Sequence, residues 1–412
     1  MNNDMRHCKL LWVLPAILLL GCQVLSCGSE EIQRPPVTDP LMPDNGPEGT
    51  AGNISMAGAT QVTICQAMAG GDVFRIPSII ALPDSTILVF AEYRHGSWLD
   101  KSYTDVVVRR STDGGKTWSA ANNLTASQNS GAFAYMDPCP IYDPKTGNIF
   151  LFCTRWNKGD TDVTNNRAIL ITSSDGGQTW QTPMDFTDRV IADGMYSSGF
   201  GPGHGIVMTG DKYKGRLILI SRQSNGTSNY CSAIWSDDNG INWKHGSTVT
   251  GGEAQIAESG INKLYLNVRR GANRQYSNSL DGGQSWSPLL QDASLPVLDG
   301  GCEASVLGAG GDMVFYCGPK GGTATSSYDN RKGLTLFRSP VSGMTWSRRQ
   351  ELYSLASGYS DMTILPNGKL AVVFEAGPGQ GFTKAGSRPA GWLRLDIIIL
   401  PAEVTDYDYW FE

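Results

Sequence analysis

The chain has 412 residues, enough for on the order of two or three average domains, although all-β propellers use this length as one unit. Its 33 Lys and Arg against 39 Asp and Glu give a net charge of −6. No basic run marks a nucleic-acid or anionic-membrane surface, so the composition is that of a globular protein whose partner is small or neutral overall.

Taken in chain order, the first feature is a leader. Arg6 and Lys9 precede LLWVLPAILLL (residues 10–20), which is too short to span a bilayer and has the shape of a signal peptide. Cysteines follow in LLGC (Cys22) and VLSC (Cys27), and both stretches resemble the lipobox of bacterial lipoproteins. Cys27 is preferred, because CGSEE resembles the acidic start of some surface-exported lipoproteins. Residues 1–27 therefore predict export to the cell surface or periplasm of a Gram-negative bacterium, with the lipid as the membrane attachment. Lipidation at Cys22, or cleavage and release, are the alternatives. Residues 28–61, rich in Pro, Gly, Asp and Glu and without hydrophobic period, read as a flexible tether.

From Val62 to Glu412 the texture changes to short β-rich runs separated by Gly, Asp and Asn turns, with no amphipathic helix. The first run, GDVFRIPSIIAL (residues 71–82), sets Arg75 inside a stretch that otherwise reads as a buried strand. A buried guanidinium needs a partner, either another side chain or an anion from outside. The later runs come in pairs: STILVFAEYR with TDVVVRRS, NIFLFCTRW with RAILITSS, RLILISRQ with NYCSAIWS, KLYLNVRR with RQYSNSL, DMVFYCGP with GLTLFRS, and KLAVVFEAG with WLRLDIIIL. Six pairs predict an all-β, six-bladed β-propeller.

Most pairs end in a tagged turn: STDGGKTW (residues 111–118), SSDGGQTW (173–180), SDDNGINW (236–243), SLDGGQSW (279–286) and the worn SPVSGMTW (339–346). Asp and Gly suit a tight hairpin, Ser and Thr hydroxyls satisfy turn backbone, and Trp offers a large surface to the neighbouring sheet. These turns resemble the Asp boxes of sialidase-like propellers. A repeated constellation marks architecture, so Asp113 and Asp175 are read as turn residues. The six cysteines beyond Cys27 form no CxxC pair, and His95, His204 and His245 show no metal-ligand spacing, so neither metal nor cofactor is indicated. Buried free thiols are the default; Cys139 with Cys153, flanking a hairpin, is a possible oxidised pair.

On Phe74-Arg75-Ile76-Pro77 and the positions that follow it in order, the chain resembles the bacterial exo-α-sialidases. The resemblance implies a clamp of Arg75, Arg269 and Arg331 on a sugar carboxylate, with Glu375 bracing the first arginine. Planar guanidinium forks suit that geometry. It implies Asp100 as the proton donor, with Asp105 as competitor, and Arg94 on a ring hydroxyl. Tyr359 in SGYSDMT matches the nucleophile and Glu253 its base, 16 residues before Arg269; Glu258 is the weaker candidate. Asp137, Met136 and Trp156 would form the N-acetyl side of the pocket, ordinary packing being the competing reading of Met136 and Trp156.

The function so implied is hydrolysis of terminal α-linked sialic acids from glycoproteins, glycolipids or other sialylated glycans, by a monomer, with retention and without cofactor. A tyrosine nucleophile is the known exception to the two-carboxylate rule of glycosidases. A trans-sialidase, an intramolecular trans-sialidase, an enzyme for a deaminated sialic acid, and a catalytically silent sialic-acid-binding propeller are the alternatives.

Overall fold

The computed structural model describes residues 56–406 apart from 69–70, 299–300, 323–329, 347, 378–383, 386–387 and 390–393. The leader, Cys22, Cys27 and most of the tether lie outside the described residues. Among the described residues the only α-helix is the single turn Thr187–Val190; nearly all other regular structure is strand.

Each apolar pair read from the sequence is an adjacent antiparallel pair. Ile87–Arg94 pairs with Thr104–Ser111, Ile149–Asn157 with Arg167–Ser173, and Leu217–Ser224 with Asn229–Ser236. Leu264–Arg270 pairs with Asn273–Ser279, Val314–Pro319 with Lys332–Ser339, and Leu370–Ala376 with Arg394–Leu400. A further strand precedes each pair and joins its first member: Val73–Ala81, Phe133–Tyr142, Tyr196–Phe200, Ala254–Glu258, Ser305–Gly308 and the second half of Arg348–Ile364. Neighbouring groups are linked by one parallel pairing, Thr104 with Ala134, and by Arg348–Ile364, which pairs on both sides.

Strand Thr60–Gln66 adds to Arg394–Leu400, joining early and late chain in one sheet. It begins two residues before the expected boundary at Val62. Thr60 and Gln61 carry no apolar signal, yet Gln61 and Thr63 donate to Asp396 on the partner strand at 2.5 and 2.8 Å. That buried carboxylate makes the polar residues part of the strand.

Apolar cores lie between successive strand groups. One holds Phe152, Phe200, Leu219 and Trp243; another, between the last sheet and the first, holds Phe74, Ile87, Trp118, Val373 and Ile397. Full burial of such a side chain contributes about 1.5–3 kcal/mol, against about 0.5–1.5 kcal/mol for a typical hydrogen bond. The contacts between sheets, rather than the turns, therefore supply most of the stabilisation.

The boxes connect the two scales. In the first, Asp113 accepts from the Lys116 and Thr117 amides at 3.0 Å and from Thr117 Oγ1 at 2.6 Å, while Ser111 Oγ accepts from the Gly115 amide at 2.9 Å. The bond from the amide four residues on recurs at Asp175, Asp238 and Asp281, at 3.0, 2.8 and 2.9 Å. Each turn aims its tryptophan at the preceding sheet: Trp243 packs 4.9 Å from Phe152 and Trp346 6.0 Å from Tyr265, centroid to centroid. The second box glycine is required there. Gly240 has φ +85°, and a Cβ would come within 2.1 Å of Phe150 Cζ. Cys65, Cys139, Cys153, Cys231, Cys302 and Cys317 are buried free thiols, so the alternative Cys139–Cys153 pair is not formed.

Register separates two ends. In the first group Arg75 faces Glu92 next to Arg94, while Ala81 faces Ile87 and Ile87 faces Ser111 of the box. The candidate site residues thus occupy one end of the sheets and the boxes the other.

Candidate active site

At the end away from the boxes the first strand of a group is repeatedly irregular. The register of Val73–Ala81 shifts between Arg75 and Ser78, and that of Phe133–Tyr142 between Met136 and Cys139. Ile76 at φ +53° and Asp137 at φ +57° stand just before Pro77 and Pro138. A β-branched residue with positive φ is a backbone outlier, costing about 1–3 kcal/mol. Glu375 holds it in place, accepting from the Ile76 amide at 3.1 Å. Similar shifts fall between Ser197 and Gly199 and between Ser357 and Ser360. Such bulges re-aim side chains, and here Ile76, Asp137, Ser198 and Tyr359 at the shifts line a cleft of about 340 Å³ together with Arg94, Asp100, Trp156 and Glu253.

Glu375 is fully buried and organises the floor. It accepts from Arg75 Nε at 3.0 Å, Arg75 Nη2 at 3.4 Å and the Tyr359 amide at 3.3 Å. One carboxylate thereby fixes the guanidinium and the backbone of the tyrosine. Arg75, Arg269 and Arg331 converge on the same ring, their Cζ atoms 5.4, 6.0 and 5.4 Å from the Tyr359 centroid. Arg331 is further held by Nη2 on Gly301 O at 3.2 Å.

The Tyr359 hydroxyl donates to Glu253 Oε1 at 2.5 Å, and Arg269 Nη1 donates to Glu253 Oε2 at 2.5 Å and to the tyrosine oxygen at 2.7 Å. Burial and the neighbouring Glu253 push the phenol well above its ordinary pKa, while the three arginines pull it back. Burial acts to raise the Glu253 carboxyl, but Arg269, Arg222 and its hydrogen bonds bring it down to about 2. Glu253 is therefore an ionised acceptor beside a protonated phenol.

Asp100 stands across the cleft with its side chain 69% exposed, 2.8 Å from Arg94 Nη1 and 3.5 Å from Arg75 Nη1. Partial desolvation acts to raise its pKa; Arg94 and Arg75 outweigh that and hold it below the usual carboxylate range. Arg94 itself is fully buried. It is fixed by Glu92 at 2.8 Å and Trp98 O at 2.7 Å, so the residue read as a hydroxyl ligand is also the brace of Asp100. The two weaker candidates stand outside this cluster. Asp105 is buried among His95, Asn123, Thr125 and Asn129, all within 2.9 Å. Glu258 is bonded to Thr209 and Gly210 on a different cleft wall.

Met136 and Trp156 pack together at the far wall with Val163. Of three residues that the sequence reading did not single out, Lys101 and Arg222 line the cleft and Glu92 lies buried behind it. Lys101 Nζ lies 3.6 Å over the Trp156 ring, Glu92 accepts from the Asp137 amide at 2.9 Å, and Arg222 is ion-paired to Asp137. Burial pushes the Asp137 carboxyl up to about 7 against the pull of Arg222. No local pattern marks Arg222 in LILISRQ or Glu92 in VFAEYR; their role depends on what faces them.

Residues 86–372 match the BNR repeat-like domain family. A sialidase of Micromonospora viridifaciens is 28% identical over 331 residues, covering 74% of this chain and 50% of the relative. One of Bacteroides fragilis is 29% identical over 345 residues, covering 74% of this chain and 60% of the relative. The chain thus spans between half and three-fifths of the length of these curated relatives. Among solved structures, the Hadza microbial sialidase Hz136 superposes with TM-score 0.70 at 22% identity over 84% of this chain and 69% of that one, a likeness of fold. With the family matched over most of the described chain and an all-β, propeller-type fold, this protein belongs to the BNR repeat-like domain family.

Proposed function

We propose that the protein is an exo-α-sialidase that removes terminal α-linked sialic acids from glycoconjugates with retention of configuration. One observation carries the reading: three arginines surround a single tyrosine whose hydroxyl is 2.5 Å from an ionised glutamate. Sialic acid has its carboxylate on the anomeric carbon, so guanidinium forks that bind the carboxylate place that carbon over Tyr359. The geometry also favours a phenol over a carboxylate as nucleophile. Two unit anions about 4 Å apart repel by ~4 kcal/mol at an effective dielectric of 20, and a neutral phenol avoids that term on approach.

In the first step Tyr359 Oη bonds to the anomeric carbon, its proton passes to Glu253 Oε1, and the bond to the leaving oxygen breaks as Asp100 protonates it. In the second, a water gives its proton to Asp100 and attacks the same carbon; the tyrosine oxygen leaves and recovers its proton from Glu253. Two inversions give retention. Asp100 must enter protonated although Arg94 and Arg75 favour its anion. A substrate carboxylate on Arg75 opposes that field and raises the Asp100 pKa on binding.

The cores between successive strand groups support a six-bladed arrangement for residues 62–412. The leader pattern supports an exported lipoprotein anchored through Cys27. Incubation with sialyllactose, followed by NMR before mutarotation, tests the activity. The α-anomer of the free acid is the expected first product. An anhydro sugar would indicate intramolecular transfer, immediate β-anomer a direct water attack, and no release a binding protein.

A further inference from the structure

Asp105 is a fully buried carboxylate that lines no part of the cleft and has no step in the reaction. It accepts from Thr125 Oγ1 at 2.6 Å and from Asn123 Nδ2, Asn129 Nδ2 and His95 Nε2 at 2.9 Å each. Burial acts to raise its pKa, but the bonds from His95, Thr125 and Asn123 outweigh that and hold the carboxyl below its ordinary value. An ionised carboxylate only accepts, so His95 Nε2 carries a hydrogen and donates it. Burying a charge is costly unless it is paired and hydrogen-bonded, and the place of this one in the fold shows what the arrangement serves.

Arg94 and Thr104 are the last facing pair of their two strands, and residues 95–103 between them form the loop that carries Asp100. His95 and Tyr103 close its base. The His95 amide donates to Tyr103 O at 2.9 Å, and the imidazole stacks on the Tyr103 ring, 3.8 Å centroid to centroid and 10° from parallel, with the Tyr93 ring 4.3 Å away. Asp105 thus pins, through the imidazole, one end of a loop whose middle projects an exposed carboxylate into the cleft. Arg94 holds that carboxylate itself, at 2.8 Å; the base of the loop sets where the backbone of Asp100 stands. We propose that His95, anchored on Asp105 and stacked on Tyr103, is a positioning residue for the general acid: it fixes the loop that presents Asp100 to the leaving oxygen. This inference rests on the sialidase reading. A general acid helps only when it is within hydrogen-bond reach of the group it protonates, and a misplacement of about 1 Å costs on the order of a hundredfold. A loosened base should therefore hurt substrates whose leaving group needs a proton and spare those whose leaving group does not.

The test measures kcat/KM, which reports the leaving-group step, on sialyllactose and on a nitrophenyl sialoside. Wild type, His95→Phe, Asp100→Ala and the double variant are compared, with circular dichroism and Tm to verify folding. His95→Phe keeps a ring against Tyr103 and removes the donor to Asp105. It should lower kcat/KM on sialyllactose by about tenfold to a hundredfold and on the aryl sialoside by less than about threefold. Beside Asp100→Ala it should add no further loss, because a residue that acts through the acid has nothing left to position. Tyr103→Leu removes the other half of the base; it should show the same selective loss and serves if His95→Phe fails to fold. Equal losses on the two substrates, a loss that persists beside Asp100→Ala, or no loss on either substrate would overturn the proposal while leaving sialidase activity intact. Wild type that cleaves no sialoside would overturn the functional reading and this inference with it.

Discussion

In the four Asp-bearing turns the Asp and the leading Ser bond to groups two to four residues away in sequence, as with Ser111 and Asp113 or Thr117 and Asp113. At the cleft end the bonds that assemble the floor reach much farther, 300 residues for Arg75 and Glu375 and 106 for Tyr359 and Glu253. The box turns satisfy themselves and add a tryptophan to the next interface. The cleft exists only when strands from distant parts of the chain are already in place, and it carries backbone outliers at Ile76 and Asp137. Local construction can repeat; long-range construction here occurs once. Substitutions should separate accordingly, with cleft variants losing turnover at nearly unchanged Tm and box variants doing the reverse.

The sharpest break is Tyr359→Phe, which keeps the ring between the arginines and removes the oxygen we propose as nucleophile. We expect kcat to fall on the order of 10⁴-fold or more, with Tm nearly unchanged. A 3-fluoro sialyl fluoride should label wild type on the peptide containing Tyr359 and leave the variant unlabelled; labelling of Glu253 instead would reassign the nucleophile. Arg75→Lys comes next. It retains charge but not the fork that Glu375 fixes, and a charged contact of ~3 kcal/mol corresponds to about a hundredfold in kcat/KM. Unchanged turnover and affinity would return Arg75 to a structural role.

These positions also show what the sequence could convey. The paired apolar strands and Asp boxes were legible because their signals are local: alternation, Gly-Gly turns, a recurring Trp. The strand that precedes each pair was mostly not, apart from Val73–Ala81. Phe133–Tyr142 and Tyr196–Phe200 contain Gly, Pro, Ser and Asp because their cleft ends bulge, and those residues erase the strand pattern. Arg75, Asp100, Glu253 and Tyr359 were legible only through resemblance to a family, since each taken singly is an ordinary residue of a β protein. Arg222 and Lys101 lay outside that resemblance and became visible through Asp137 and Trp156.

A finer test of the cleft uses pH. In the free protein Arg94 and Arg75 hold Asp100 below the usual carboxylate range, so its protonated, acid-competent form is depleted early as pH rises. In the complex the substrate carboxylate opposes that field. The alkaline limb of kcat, which reports the complex, should therefore lie at higher pH than that of kcat/KM, which reports the free protein. Asp100→Ala should abolish both limbs on aryl sialosides and hurt poor leaving groups far more than aryl ones. Coincident limbs would mean that the substrate does not tune this group.

On the box side the larger effect belongs to Gly240→Ala. The added carbon meets Phe150 at 2.1 Å in a left-handed conformation, and overpacking of this kind costs about 1–3 kcal/mol. Tm should fall by a few degrees at most per kcal/mol, with kcat/KM unchanged. A variant that loses turnover in proportion to nothing seen in Tm would show that the two ends are coupled.

The smallest effect, and the one that isolates the turn itself, is Asp113→Ala. Desolvation acts to raise the Asp113 carboxyl, but Thr117, Ser111 and the Lys116 and Thr117 amides outweigh it and bring it down to about 2. The residue is exposed, so solvent screening discounts what that shift is worth, and a loss of roughly 1 kcal/mol is expected at neutral pH, as for other side-chain caps of backbone amides. The sign follows from linkage: a carboxyl with a depressed folded-state pKa stabilises above its unfolded value, ordinarily near 3.8, and that contribution fades as pH falls toward 2. Urea melts of wild type and variant should therefore differ most at pH 6–7 and converge as pH falls below about 4, in the range where both remain folded. A gap that stays constant with pH would assign the effect to lost packing rather than to the ionised turn, and a gap that widens would contradict the hydrogen bonds seen around Asp113.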